Sequence, residues 1–471
     1  MELNLPQSIP AEMVSSREAM PANQAQAIFS QAPRPVSHAD RIRTIDMIRG
    51  LALLGILMMN IPGFGIDPAV FNRLITGSHN NADYYTFSTV MILFEGTMRG
   101  LFSMLFGAGM ILFMQNKAEL PGNATVAEYY YRRLLWLVGF GLFNAYVLLW
   151  FGDILFFYGL CGMLLFPFRK MRPKWLLAIG IACLFINIIS PLINYGETRE
   201  KRSAYKEAAA ARKAHRKLTP DQQKALTTWQ EMEKNSKPDP ERSKTNVEKI
   251  RGSYGTVFSY FISRNENDEI WGMYMGSWDM LCMMFIGMAM LGTGFFTNRL
   301  PTSTYGITLL LGYSIGILLS WCYLRGLETS ITRGISAYTD AYRVPHWILY
   351  DFRRVFLSVG HASLLMVIYR AKLVPWLMKA LANVGQMAFT NYLMQSIICT
   401  LFFYGYGLGY YDTLRFHQMY YVVGTVWIFQ LIFSSVWLRY FRFGPFEWIW
   451  RSLTYWTFQP MLIRKQQVKA G

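Results

Sequence analysis

Acid is scarce in this sequence. Only 29 Asp and Glu stand against 46 Lys and Arg, for a formal net charge of +17. That deficit excludes an acidic, self-solvating chain and points to an anionic partner, either nucleic acid or lipid headgroups. No aromatic-plus-basic nucleic-acid module accompanies the charge, and many basic residues flank apolar runs, so lipid is the expected partner. Cysteine is scarce too. Cys161, Cys183, Cys282, Cys322 and Cys399 all lie in apolar runs and none forms C-x-x-C. A disulfide framework and a thiolate metal site are thereby disfavoured, which leaves packing cysteines and no expected metal. No apolar signal core precedes residue 45. Residues 1–40, rich in Ala, Gln, Ser and Pro, read as a disordered cytoplasmic tail. A Walker-type phosphate loop and a short-period repeat are also missing.

Apolar residues are what the chain has in excess: 53% hydrophobic and 16% aromatic. This composition suits an all-α polytopic membrane protein. A bilayer core needs about 20 apolar residues per helix. Ten spans are expected, near 45–65, 88–114, 131–150, 153–169, 174–195, 271–296, 303–325, 350–370, 381–405 and 418–441. The second is long and has candidate break points at Gly96 and Gly100. The spans fall into an N-terminal bundle (41–195) and a C-terminal bundle (271–441), separated by a charged insertion (196–270). In that insertion "TPDQ" is a helix start with Pro220 in the first turn, and two or three helices outside the membrane are expected. Its His215 sits in a charge run and reads as solvated. Residues 442–471 read as a short helix lying at the interface, "FGPFEWIWRSLTYW", followed by a basic tail.

Short loops carrying Arg41, Arg43, Lys117, Arg132, Arg133, Arg169, Lys170, Arg172 and Lys174 alternate with poorer ones. The excess of Lys and Arg predicts that both termini are cytoplasmic, with 196–270 outside.

Polar residues inside spans are costly, at least ~2.5 kcal/mol for a charge at the bilayer centre, and they usually face the bundle or a cavity. In "DMIRGLALLGILMMN", Arg49 and Asn60 are eleven residues apart, which places them within about 20° on one helical face, with Asp46 close by. Glu95 and Arg99, four residues apart, can pair on one face. Asn144, Asp153, Asp279, Arg353, Arg354, Ser358 and His361 add to the set, and Asn391 and Gln395 lie one turn apart. Most fall between the outer surface and the midplane. They predict a polar cavity open to the outside, with Asp46 and Arg49 at its cytoplasmic end. The plainer alternative for each is interhelical hydrogen bonding, worth ~0.6 kcal/mol per contact on average. It applies most directly to Asn391 with Gln395, while Glu95 with Arg99 reads equally as a structural ion pair. Asp153, preceded by Gly152 and without a basic neighbour in sequence, is the stronger functional candidate.

The segments "RIRTIDMIRGLALLGILMMNIPGFG", "FEGTMRGLFSMLFGAGM", "LLWFGDILFFYGL", "VGQMAFTNYLMQSIICTLFFYGYGLG" and "WLRYFRFGPFEWIWRSLTYW" together resemble the YeiB family of bacterial membrane proteins. The shared domain of that family is catalogued as domain of unknown function 418, and the resemblance spans nearly all of residues 41–460. The family looks like a distant branch of the membrane acyltransferases, which pass an acyl group from a cytoplasmic acyl-CoA to a sugar hydroxyl or amine. The resemblance thus implies acyl-CoA, acetyl-CoA in particular, as co-substrate, with a small-molecule or glycan acceptor. It places Arg49 at the basic position of the O-acetyltransferase motif and Asn60 at its histidine position. The segment "LFNAYVLLW" has Asn144 and Ala145 where relatives often carry histidine, and His361 stands where they often have tyrosine. Asparagine cannot accept a proton. If the chain transfers acyl groups, the candidate bases are Asp153, Glu95 and His361. Asp46, Arg49, Asn60, Arg99, Asn391 and Gln395 would contact substrate. A transporter with a polar pathway is the alternative, and a scaffold acting through the outer loop is the weaker third. The sequence leaves the oligomeric state open, a homodimer included.

Overall fold

The structure is a computed structural model that describes residues 42–115 and 125–463. The N-terminal tail, Arg41, Lys117 and the basic C-terminal tail lie outside the described residues. Described residues fold into α-helices joined by short turns, and a helix stands at each of the ten expected spans. In order, these are α1 (Arg43–Gly65), a short α2 (Ala69–Thr76), α3 (Ala82–Leu93), α4 (Thr97–Gln115), α5 (Val126–Tyr146), α6 (Leu155–Leu165) and α7 (Pro173–Lys213). After these come α8 (Pro220–Asn235), α9 (Pro240–Ile250), α10 (Tyr254–Gly292), α11 (Thr302–Ala341) and α12 (Leu349–Arg370). The chain closes with α13 (Pro375–Gln386), α14 (Ala388–Phe403), α15 (Phe416–Tyr440) and α16 (Pro445–Tyr455). Six stretches are long and apolar enough to cross a bilayer, with shorter apolar helices at Leu155–Phe168, Gly276–Gly292 and Ala388–Phe403.

Two expected spans are broken. The second divides into α3 and α4 at Gly96, whose φ of +72° only glycine adopts without strain. The ninth divides into α13 and α14 at Met387. A third irregularity is milder. Pro62 inside α1 removes the N–H that would bond the Met58 carbonyl, and the Tyr420 hydroxyl donates to that carbonyl instead, at 3.2 Å.

The domain boundaries differ from expectation. The expected limit at 195/196 falls inside α7, and that at 270/271 inside α10. With 41 and 39 residues, these helices run about 60 Å, roughly twice the bilayer core, so the insertion is an extension of spans rather than a separate unit. α11 does the same, and its far end ties to α7 through Arg202 and Asp340 at 2.8 Å. The "TPDQ" start is a full capping box, Thr219 with Gln222, and Pro220 opens α8.

Glycine sets the closest crossings. A Cβ on Gly50 of α1 would strike the Leu381 carbonyl, and one on Gly385 of α13 would strike that of Asp46. Gly107 of α4 and Gly287 of α10 face Met284 and Met104 backbone in the same reciprocal way. Without burial from water to drive helices together, such backbone contact is what packs them in lipid. The first crossing lays the α13–α14 break against the opening turns of α1.

Candidate functional site

A cavity of about 360 Å³ opens where these elements converge. Arg49 and Asp46 enter it from α1, Arg133 from α5, and Arg451 and Glu447 from α16. Its deeper wall is apolar, with Phe102, Phe106, Leu137, Ile154 and Leu155, and carries two phenols, Tyr158 and Tyr392. The cavity is therefore amphipathic, with arginines at the end where α1 and α5 begin and hydrocarbon toward the middle of the bundle.

Each charged wall group has a local cause. Arg49 Nη1 donates to Asp46 Oδ1 at 2.8 Å, one turn back on α1. The Arg133 guanidinium lies 4.0 Å from the Trp450 ring centroid and 4.9 Å from that of Phe113, a cation–π sandwich. Its buried Nε has no hydrogen-bond partner among the described residues. Glu447 accepts from the backbone N–H of Phe389 (2.7 Å) and of Thr390 (3.0 Å), and from the Thr390 hydroxyl. It therefore caps the buried start of α14, where a helix offers unpaired N–H groups and a positive dipole end. Helix α16 does not merely lie at the interface as expected, because Glu447, Trp450 and Thr454 are buried against the bundle.

Asp153 is buried just beyond the deep end rather than exposed at a mouth. Its Oδ2 accepts from the Phe156 N–H in the first turn of α6 (2.9 Å). Its Oδ1 accepts from the Asn144 amide (2.7 Å) and the Tyr392 hydroxyl (3.3 Å). Tyr392 lines the cavity, so Asp153 communicates with it through one phenol.

The remaining expected residues are elsewhere, and the single connected cavity is not formed. Glu95 and Arg99 do not pair with each other, because Gly96 interrupts the helix between them. Glu95 pairs with Arg353, while Arg99 reaches Asp279 at 3.3 Å and Arg354 reaches Asp279 at 2.5 Å. One face of α12 repairs the break. Arg353 donates to the Met91 carbonyl (3.0 Å), Arg354 to Gly96 (3.0 Å) and Ser358 to Thr97 (2.8 Å). His361 Nε2 completes the set at the Leu93 carbonyl, 2.9 Å. A carbonyl can only accept, so Nε2 carries the proton and Nδ1 accepts from the Tyr313 hydroxyl at 2.8 Å. His361 is thus hydrogen-bonded at both ring nitrogens, and neither it nor Glu95 lines the arginine cavity.

Asn391 and Gln395 are interhelical hydrogen-bonding groups, the plainer alternative. Asn391 donates to Ser434 (2.9 Å) and Gln395 to Gln430 (3.0 Å), while Gln430 donates back to the Asn391 carbonyl (2.8 Å). Asn60 is half-buried and does not line the arginine cavity. It lies eleven residues, about 16 Å of helix, beyond Arg49, the last residue of α1 to line the cavity.

Sequence reasoning missed Arg133, Arg451, Glu447, Tyr158 and Tyr392. The two arginines read as charges flanking spans. Glu447 sits in the first turn of α16, where a carboxylate serves its own helix, so nothing local signals that it caps another.

Residues 290–457 match the family described as "Protein of unknown function (DUF418)". The chain is 28% identical over 436 residues to the uncharacterized protein YxaH of Bacillus subtilis, covering 91% of this chain and 98% of the relative. It is 29% identical over 428 residues to the uncharacterized protein YeiB of Escherichia coli, covering 88% and 96%. An uncharacterized 39.9 kDa protein from the amylase 3' region of Bacillus acidopullulyticus is 25% identical over 442 residues, covering 92% and 99%. No solved structure matches. The chain is thus similar to YeiB and YxaH over most of its length, and its apolar helices make it an all-α membrane protein.

Proposed function

We propose that this protein is an integral membrane acyltransferase whose arginine-lined cavity takes an acyl-CoA. The observation that carries the proposal is the amphipathic cavity. Arg49, Arg133 and Arg451 suit the phosphates of the donor, and the apolar wall suits its pantetheine arm and acyl group. Acetyl-CoA is the simplest donor. The acceptor is a small molecule or an envelope glycan bearing a hydroxyl.

In the proposed step the acceptor oxygen attacks the thioester carbonyl carbon. The C–O bond forms and the C–S bond breaks. The acceptor proton passes to Tyr392 as the Tyr392 hydroxyl gives its own to Asp153, and the same relay run backwards returns that proton from Asp153 through Tyr392 to the departing thiolate, which leaves as CoA thiol. Asn144 holds the Asp153 carboxylate toward Tyr392. Glu447 belongs to the architecture, because its oxygens are occupied by the start of α14.

The proposed setting is a bacterial inner membrane, with the cavity mouth and both termini facing the cytoplasm, where acyl-CoA is found. An impermeant maleimide applied to intact cells should label a cysteine placed at Ser236 and spare one placed at the C-terminus. The opposite pattern reverses the topology.

The function itself is tested by CoA thiol release from acetyl-CoA and longer acyl-CoAs by purified protein. Arg133→Gln should raise the donor KM by roughly 10- to 100-fold, the worth of a charge-assisted phosphate contact. A second reading, a transporter, is favoured by the two interrupted helices, α3–α4 and α13–α14, since broken spans mark transport sites. Substrate flux through reconstituted vesicles without thiol release would establish it and overturn the enzyme.

A further inference from the structure

A second, larger cavity of about 1120 Å³ lies at the opposite end of α1, walled by α2, α8, α9 and the far part of α11. Five cations line it, Arg73, Lys237, Lys244, Arg251 and Arg333, against three acids, Glu233, Glu248 and Asp412. Two of the acids take neutral hydrogen bonds and keep their charge: Glu233 accepts from the Ser336 hydroxyl, and Asp412 from the Asp67 N–H at 3.4 Å. Arg251 is held at the Tyr411 carbonyl and Lys244 at Glu241. Arg73, Lys237 and Arg333 have no ion pair among the described residues, so positive charge is in excess.

The rest of the wall is rich in hydroxyls: Thr76, Ser236, Ser243, Ser330 and Thr332. One stretch is unusual. All seven consecutive residues from Ser330 to Ser336 line the cavity. A regular helix shows only one face to a cavity. Here Gly334, at φ +75° and ψ 168°, unwinds the wall and turns successive residues and their backbone toward the space. The cavity also shares Ile331 with a smaller apolar one that runs between α2 and α3 to Glu95.

We propose that this cavity binds a phosphate ester carrying several hydroxyls, a polyol phosphate. Arg73, Lys237 and Arg333 meet the phosphate, and the hydroxyl side chains and unwound backbone meet the polyol. A free polyol phosphate and the headgroup of a polyol phospholipid share this chemistry. The apolar neighbour would house the chain of the second.

The test titrates full-length protein in detergent with glucose 1-phosphate, glucose and inorganic phosphate, and measures by mass spectrometry the phosphatidylglycerol retained after delipidation. Glucose 1-phosphate should bind at least about tenfold more tightly than either fragment, and the double variant Arg73→Gln with Arg333→Gln should weaken it by at least about tenfold. Lys237→Gln, on the exposed rim, supplies a second variant should the double one fail to fold. Arg133→Gln, in the other cavity, should leave this binding unchanged, which separates the proposal from the acyltransferase assignment. Retained phosphatidylglycerol that falls in the double variant while glucose 1-phosphate fails to bind assigns the site to a lipid headgroup. Binding of neither, or binding indifferent to both variants, overturns the proposal.

Discussion

The Glu447 carboxylate of α16 accepts a 2.7 Å hydrogen bond from the backbone N–H of Phe389, closing the start of α14 from a helix nearly sixty residues away in sequence. Replacing Glu447 by Ala leaves buried N–H groups at Phe389 and Thr390 unpaired. The expected loss is about 1–3 kcal/mol, with a matching drop in melting temperature in detergent. Glu447→Gln retains one acceptor oxygen and should lose less. Equal stability of wild type and Glu447→Ala would mean that the cap is not formed.

Under the acyltransferase proposal, Tyr392 is the link between the cavity and Asp153. Asp153→Asn removes the proton acceptor and should lower turnover by ~100- to 10,000-fold, the usual range for general-base assistance. Tyr392→Phe should lower it similarly while leaving the donor KM within a few-fold. Asn60→Ala, outside the cavity, should leave turnover intact. Turnover is read as thiol release, with melting temperature as the folding control. An enzyme indifferent to Tyr392→Phe would reject the relay.

His361 should matter for stability and not for chemistry. His361→Phe leaves the Tyr313 hydroxyl without its imidazole partner and the Leu93 carbonyl with only the Thr97 hydroxyl, at 3.1 Å. Its expected cost is about 1–3 kcal/mol in unfolding measurements. Any thiol-release activity should survive in the folded fraction. A folded but inactive variant would return His361 to the list of bases.

Beyond the membrane, hydrogen bonds from Arg202 hold the Asp340 carboxyl down to about 2, from an ordinary 3.8. Partial burial opposes this, and Lys206 at 2.7 Å adds to it. A depressed carboxyl pKa stabilises the folded state above the unfolded value and ceases to do so as pH falls through the folded one. The melting temperature of wild type should therefore exceed that of Asp340→Asn at neutral pH, and the two should converge as pH drops from about 4 to about 2. High salt should narrow the gap, because the pair is partly exposed. A gap that persists at the acid end would place its origin elsewhere.

The sequence by itself determined where helices form in the membrane. Runs of about twenty apolar residues have no other way to satisfy their backbone in lipid, so each of the ten expected spans has its helix. It also offered Gly96 and Gly100 as break points, of which the structure uses Gly96, and marked the start of α8 at Pro220, because glycine, proline and capping side chains act on their immediate neighbours. Polar residues inside spans were visible for the same reason, as departures from the apolar rule. Their assignments were another matter. Tertiary structure decided that Glu95 meets Arg353 instead of Arg99, that His361 mends a break in another helix, and that Asn391 and Gln395 bond α15. It alone brought Arg133, Arg451 and Glu447 to the cavity of Arg49. Hydrogen bonds and ion pairs reach only a few ångströms, and which groups come that close depends on how whole helices cross. Here the crossings are set by glycine contacts such as Gly50 with Leu381 and Gly107 with Met284, whose partners are far apart in sequence and leave no local mark.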